Sequence, residues 1–243
     1  MKNYEPVMSF DADVAHEFED LRRGDENAAV AFLEHLAGDR PALELAIGTG
    51  RIALPLAARG VRVDGIDISP AMVAQLRSMA GGDKIAVTMG DFADVPVAGA
   101  YGLIYVVFNS LFNVLTQDDQ VRCFENVAAH LTDDGSFVIE AGSPAMLYRL
   151  RDHQYVEAES IDVGEVRLDM LRHYPATQML DESHVTLSPE GIRLNPVVQR
   201  YALPAELDLM ARIAGLRLKE RWDDWTRRPY TATGSTVVSV YGR

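Results

Sequence analysis

Short apolar runs and longer amphipathic stretches take turns along the middle of this chain. The run "ALELAI" (42–47) has the look of a buried strand, and the helical stretch over 50–59 behind it closes on Gly60. "VRVDGI" (61–66) leads to Asp67. Ser69 is then a natural N-cap with Pro70 at the first helical position, where its missing N–H costs nothing, and that helix stops at Gly81-Gly82. "KIAVTM" (84–89) and "YGLIYVVF" (101–108) are the next strands. "LTQDDQ" opens a further helix, with Thr116 and Asp119 at capping-box spacing and Val121, Phe124, Ala128 and Leu131 as its apolar stripe. The turn "DDG" leads into "SFVIEA" (136–141). Strands separated by helices predict a parallel sheet with right-handed crossovers and helices on both faces, its ligand crevice at the carboxyl ends of the strands.

The flanks read differently. Before residue 41 two helices are expected, the second N-capped by Asp25 and ended by Gly38. After Ala141 no long helix is visible until Pro204. In "EVRLDMLRHY" (165–174), Val166, Leu168 and Met170 alternate with Arg167 and Asp169, and "SPEG" (188–191) is a turn joining "SHVTL" to "IRLNPVVQRYA". Pro196 there marks an edge strand or a bulge. A helix from Pro204 and two strand-like segments, "LRLKERWDDW" and "STVVSVYG", finish the chain. The expected organisation is a helical cap over 1–40, a Rossmann-like α/β core built from 41–153 and 204–243, and an inserted antiparallel sheet over 154–203. The core sheet is expected to have seven strands, mostly parallel, with an antiparallel last strand. The apolar face of the insertion must be covered by something, so the insertion is read as a substrate lid and a homodimer surface.

Bulk properties narrow the partners. The 243 residues carry a formal net charge of −13 and no run of more than two adjacent basic residues, which argues against a nucleic-acid grip and for a small-molecule ligand. No stretch approaches the roughly 18 apolar residues of a spanning helix, and the polar, acidic N-terminus has no signal-peptide core; a cytoplasmic protein without membrane contact is expected. The single cysteine, Cys123, leaves no internal disulfide and no multi-cysteine metal site, and there is no H-E-x-x-H, so no metal is expected.

The glycine turn "IGTG" (47–50) can hold a ligand at a helix N-terminus, but NAD, a nucleotide phosphate and S-adenosylmethionine could each claim it. Three further features separate them. Asp67 ends the second strand seventeen residues after Gly50, where a carboxylate can accept both hydroxyls of a ribose. Gly90-Asp91-Phe92 ends the third strand, offering an acceptor for an exocyclic amine and a ring cover. Glu44 lies inside the first strand. The absence of Gly-Lys-Ser/Thr after the turn removes the phosphate loop. NAD binding would account neither for "GDF" nor for Glu44.

These residues carry a family resemblance. "LELAIGTGRIALPLAARGVRVDGIDIS" followed by "GDF" resembles the class I S-adenosylmethionine-dependent methyltransferases, and especially the actinobacterial small-molecule enzymes related to sugar N-methyltransferases. "VVFNSLFNVLTQDDQVRCFENVAAHL" and "PAELDLMARIAGLRLKERWDDW" extend it over most of the chain. The resemblance implies S-adenosylmethionine as cofactor and S-adenosylhomocysteine as product. It implies that Glu44, Ala46, Gly48, Thr49 and Gly50 stand beside the methionine moiety, with Asp67 on the ribose and Ile68 on the adenine. Gly90, Asp91 and Phe92 would read the adenine, and Phe108 and Asn109 would line the methionine end. Ala46 stands where many relatives have glycine. Phe10 and Phe18 stand where relatives often place tyrosines over the sulfonium. "FNSL" after the fourth strand lacks the Asn/Asp-Pro-Pro-Tyr/Phe of the adenine-N6 and glutamine-modifying branches.

Methyl transfer is an in-line displacement that depends mainly on positioning, so a base is needed only where the acceptor must shed a proton. Glu140 at the end of the fifth strand, and His173, Tyr174 and His184 in the insertion, are the candidate bases; each histidine reads more readily as an ordinary surface or hydrogen-bonded sheet residue. Arg227, Arg228 and Tyr230, in the connection between the last two strands, are the candidate rim of the acceptor site. The expected activity is methyl transfer to oxygen or nitrogen of a small metabolite. The alternatives are a protein that binds S-adenosylmethionine without methylating, cyclase-like or regulatory, and a NAD-dependent oxidoreductase.

Overall fold

A computed structural model describes residues 4–17, 23–143, 147, 150–231 and 234–243. The N-terminal part holds a 3-10 turn (Pro6–Ser9) and helices α1 (Ala12–Glu17) and α2 (Glu26–Ala37). The core then runs β1 (Ala42–Leu45), α3 (Ala53–Ala58), β2 (Val63–Asp67), α4 (Pro70–Ser78), β3 (Ala86–Met89), β4 (Tyr101–Val106), α5 (Gln117–His130) and β5 (Leu131–Gly142). A four-strand meander follows, β6 (Gln154–Ile161), β7 (Val166–Tyr174), β8 (Met179–Ser188) and β9 (Gly191–Arg200). Helix α6 (Pro204–Ile213), β10 (Arg217–Trp222) and β11 (Thr236–Gly242) close the chain.

The main sheet has seven strands in the order β10-β11-β5-β4-β1-β2-β3. The first five strands in the chain are parallel, while β11 runs antiparallel to β5 and β10 antiparallel to β11. Strand β1 pairs with both β2 and β4, so the strand order reverses beside β1. That reversal opens a crevice at the carboxyl ends of β1 and β4.

Both faces of this sheet are covered, which is why its strands read as continuous apolar runs rather than alternating ones. On one face Ile104, Val106, Phe137 and Ile139 pack with Phe124 of α5 and Leu207 and Met210 of α6; Phe124 stands edge-on to Phe137 at 5.3 Å and to Tyr241 at 5.9 Å. On the other face Leu103, Tyr105, Val138 and Val240 meet Val30 and Leu33 of α2 and Leu56 of α3. Cys123 belongs to the first of these cores, and burial pushes its thiol up to about 12.

The N-cap signals at Ser69 and Thr116 act where they were expected, while several boundaries move: α4 stops at Ser78 rather than at Gly81-Gly82, and β5 already begins at Leu131, ahead of the expected "DDG" turn. Ser69 Oγ accepts from Met72 N at 3.2 Å and Thr116 Oγ1 from Asp119 N at 3.1 Å, so both helices have working N-caps. Helix α3 starts at Ala53 rather than residue 50, because Gly48 (φ 57°) and Gly50 (φ 83°) hold the chain in the left-handed region through the turn. Asp25 does sit at the N-cap of α2 but makes no side-chain cap. Its carboxylate pairs with Arg23 at 2.9 Å, and Glu26 instead accepts from the amides of Arg23 and Gly24.

The inserted strands form a separate sheet, β6-β7-β8-β9. Pro196 lies on its edge strand, where its missing N–H breaks no ladder. The base of the sheet is tied to the core by buried Arg200, which pairs with Glu206 of α6 at 2.7 Å and donates to Gln120 Oε1 of α5 at 2.5 Å. Alternation sends one face toward the core's crevice. The other face carries Val156, Ile192 and Leu194, each more than 60% exposed. No described helix is long and apolar enough to cross a membrane.

Gly65 in β2 faces the glycine turn so closely that an added Cβ would lie 2.4 to 2.9 Å from three side-chain atoms of Ile47. Gly65→Ala is therefore expected to lower stability by about 1–3 kcal/mol through overpacking. Denaturant unfolding measures this, and an unchanged midpoint would contradict the close strand-to-turn packing.

Candidate functional site

A cavity of about 610 Å³ occupies the crevice. Its floor is the turn after β1. Ala46 takes φ 57° there, a backbone region that disfavours a side chain, which gives the family's preference for glycine at this position a physical reason. Gly48 N donates to Asp67 Oδ2 at 2.7 Å, and Ser69 N donates to Asp67 Oδ1 at 2.8 Å. One buried carboxylate thus ties the glycine turn to the end of β2. Burial raises the pKa of Asp67, and the amide bonds from Ser69 and Gly48 oppose that rise. Gly50 packs behind the turn, where a Cβ would meet Leu76 Cδ1 at 2.4 Å.

After β3, Asp91 Oδ1 accepts from Ala93 N at 2.8 Å, which sets the turn and leaves Asp91 and Phe92 on the cavity wall across from half-exposed Ile68. After β4, Phe108 (φ 56°) and Asn109 (φ 62°) form a second left-handed turn. The Arg23 and Arg51 guanidiniums lie 4.8 and 5.1 Å from the Phe108 ring centre. Of the residues expected at the cofactor, Glu44, Ala46, Gly48, Thr49, Asp67, Ile68, Asp91, Phe92, Phe108 and Asn109 line the cavity; Gly50 and Gly90 do not.

The roof comes from the N-terminal segment, through Pro6, Ser9, Phe10 and Val14. Ser69 Oγ donates to Phe10 O at 2.6 Å, and Ser9 Oγ donates to Pro196 O at 2.5 Å, so the segment bridges the core and the inserted sheet. Phe18 lies outside the described residues.

The far wall is the inner face of the inserted sheet. Glu159, Arg167, Glu182, His184, Thr186, Arg193, Asn195 and Gln199 line it. Asp169 is cross-strand neighbour of His184, with Oδ1 3.7 Å from His184 Nδ1, and Tyr155 donates to its other oxygen. Asp169, Glu182 and His184 each bring one ligand-type atom within 4.8 Å of the others. Burial, and then the neighbouring Asp169 charge, raises the pKa of Glu182. Apart from His184, sequence reasoning missed this wall, together with Arg51 and most of the roof. The signal was present: the alternation that marked an apolar face also marks a polar one, at 182, 184 and 186 and at 193, 195 and 199.

The other candidates fall elsewhere. His173 is buried further along β7, 3.0 Å from Tyr201 Oη, and burial lowers its pKa. Tyr174 sits beside Arg172 at the end of the same strand. Neither lines the cavity, because they stand four and five residues past Asp169 along β7, His173 paired with Leu180 and Tyr174 with Met179. Glu140 is buried and engaged by Arg23 and the Phe108 amide, also off the cavity wall. The rim expected after β10 is likewise absent from the wall: Arg227 stacks on Phe32 of α2 at 4.5 Å, Arg228 pairs with Asp224 at 3.2 Å, and Tyr230 lies under Arg221.

Residues 42–135 match the family model described as a methyltransferase domain. The chain is 37% identical to the CcbJ methyltransferase from Streptomyces caelestis, covering 98% of this chain and 99% of that one, with a TM-score of 0.92. It is 26% identical over 211 residues to a cypemycin N-terminal methyltransferase from a Streptomyces species, covering 84% of this chain and 83% of that protein. It also shares the fold of the sugar N-methyltransferase KedS8 from Streptoalloteichus, with a TM-score of 0.69, at 20% identity over 94% of this chain and 92% of that one.

Glu44 gives the site a pH signature. Its carboxylate is buried under the turn, takes a hydrogen bond from Tyr105 Oη at 3.0 Å, and is pushed by burial up to about 8. A carboxyl raised in the fold contributes stability that is full below its ordinary 4.5 and is lost as pH climbs through about 8. Ligand-free wild type is therefore expected to lose stability across that window, and Glu44→Gln to flatten the loss. Thermal melts from pH 4.5 to 9 measure it; parallel curves for the two proteins would refute it.

Proposed function

The chain belongs to the class I S-adenosylmethionine-dependent methyltransferases and takes its methyl group from S-adenosylmethionine, and from that premise we propose that it delivers the group to the nitrogen of a small, amine-bearing molecule. The carboxylates on the inner face of the inserted sheet carry this reading. Glu159 and Glu182 line the cavity opposite the cofactor wall with Asp169 beside Glu182, and although Arg167 and Arg193 share that wall, this local cluster of acids suits an ammonium. Relatives that act on an N-terminal amine and on amino sugars, by their names, support it.

The donor set of the other wall fits the cofactor. Asp67 would accept from the ribose hydroxyls, Asp91 from the adenine amine, with Ile68 and Phe92 on the two faces of the ring; Glu44, Phe108 and Asn109 would surround the amino-acid end. When bound, the cofactor supplies an electrophilic methyl on a sulfonium. The protein's own part is to hold the acceptor nitrogen in line with that methyl, under a roof that excludes water. A protonated amine has no lone pair to attack with. Glu182, whose pKa burial and Asp169 raise to about 7, is suited in its ionised form to hold the cation and then take its proton, becoming the neutral acid. The polar face of the insertion serves as the acceptor lid, and its exposed apolar face is the surface through which two copies would associate.

Incubation with labelled S-adenosylmethionine and matched pairs of amino and hydroxy compounds tests the reading by mass spectrometry. Methyl is expected on nitrogen only, and transfer to hydroxyl alone would overturn it. Asp91→Asn, which keeps the acceptor for Ala93 N but removes the charge, is expected to weaken S-adenosylmethionine binding by about tenfold. Calorimetry checks that loss.

A further inference from the structure

We propose that Glu140 is a positioning residue for the cofactor: its carboxylate clamps the Phe108–Asn109 turn and Arg23 together, and so sets the wall that receives the amino-acid end of S-adenosylmethionine. This deepens the cofactor reading above and rests on it.

The turn needs a clamp. Phe108 and Asn109 are consecutive non-glycine residues in the left-handed region, at φ 56° and 62°. Such a turn persists only where its surroundings over-determine it. Two hydrogen bonds do so, and both come from the end of β5. Glu140 Oε2 accepts from Phe108 N at 2.9 Å, and Gly142 N donates to Asn109 Oδ1. An added Cβ on Gly142 would stand 3.2 Å from Asn109 Oδ1, so the approach of β5 to the turn is close.

The other oxygen of Glu140 faces the opposite way. Oε1 meets Arg23 Nη2 at 2.5 Å, while the side chain of Glu140 is only 2% exposed. The same guanidinium lies over the Phe108 ring at 4.8 Å, and Arg51, next to the glycine turn, lies 5.1 Å from that ring. A single buried carboxylate therefore joins three pieces of chain: the segment before α2, the turn after β4 and the end of β5. Phe108 is the part of this assembly that reaches the cavity, with Asn109 and Arg51 beside it.

The order of strands says which end of the cofactor this assembly serves. Asp67 and Asp91 end β2 and β3, on one side of β1. Phe108 follows β4 and Glu140 belongs to β5, on the other side. A ligand whose adenosine lies over β2 and β3 must extend its amino-acid end over β4. Glu140 acts through Phe108 and Asn109 and does not line the cavity itself, so it neither binds the acceptor nor serves as its base.

The test compares two ligands. S-adenosylhomocysteine has the amino-acid end; 5′-methylthioadenosine keeps the adenosine and thioether without it. Both are titrated by calorimetry into wild type, Glu140→Gln and Arg23→Gln, with the ligand-free melting temperature of each recorded. Both variants are expected to lose about tenfold in affinity for S-adenosylhomocysteine, the size expected for a lost charge-assisted hydrogen bond, and to keep wild-type affinity for 5′-methylthioadenosine. Equal losses for the two ligands, or no loss for either, would overturn the positioning role, whatever the melting temperatures do. Should Glu140→Gln fail to fold, Arg23→Gln decides alone, since it opens the clamp from its more exposed partner, 32% accessible. A wild-type protein that binds neither ligand would overturn the cofactor reading itself, and the proposal with it.

Discussion

The crevice exists because both faces of the main sheet are sealed by helices, so only the turns at the carboxyl ends of the strands can present polar groups. Within that constraint, one buried carboxylate holds the arrangement together. Asp67 takes the amides of Gly48 and Ser69 on its two oxygens, and so locks the turn after β1 to the turn after β2. Ser69, held in this way, caps α4 through Met72 and keeps Phe10 in the roof through the same hydroxyl. Glu140 does the corresponding work on the other side of β1. The floor, the roof and the far turn are thus referred to two acids, in β2 and β5, that flank the gap strand order opens between β1 and β4.

Much of this was legible in the chain because it is local. The glycine turn, Ser69-Pro70 and the Thr116–Asp119 cap are decided within a few residues, and the structure keeps them. The acids after β2 and β3 follow from the fold's own rule about where parallel strands present ligands. The parts that were not legible depend on register or on distant partners. Glu140 reads as an exposed base at a strand end until Arg23, 117 residues earlier, is seen to cover it. His173 and His184 look alike in the sequence. Strand pairing puts His184 opposite Asp169, on the cavity face, and His173 further along opposite Leu180, where its ring meets Tyr201 Oη. Arg227 and Arg228 emerge at the expected end of the sheet, but Phe32 and Asp224 already engage them.

Burial raises Glu44, Asp67 and Glu182 alike, so the cavity concentrates groups that the fold would hold more cheaply as neutral residues. Asp67 answers backbone amides, Glu44 a tyrosine hydroxyl, and Glu182 has Asp169 and His184 beside it. Groups held against their solvation preference are the pattern expected where a ligand's donors and charges complete the site. The protein's overall charge of −13 points the same way, toward ligands that bring cations rather than phosphates.

The two walls of the cavity differ in how freely they can change. The cofactor wall is made of turns whose backbone the core dictates, so a substitution at Gly48, Asp67 or Asn109 disturbs strands as well as ligand. The wall proposed for the acceptor is one face of a meander with its own small core, Leu147, Leu171 and Leu180, and its own anchor in Arg200, Gln120 and Glu206. Side chains at 182, 184 and 193 project from ladders that backbone hydrogen bonds maintain whatever those side chains are, and Glu159 projects from the register shift in β6. Exchanging them alters the charge and shape offered to the acceptor while leaving the floor and the roof in place. On the proposed function, donor chemistry is therefore tied to the core of this fold, and acceptor choice to a surface that can vary without it.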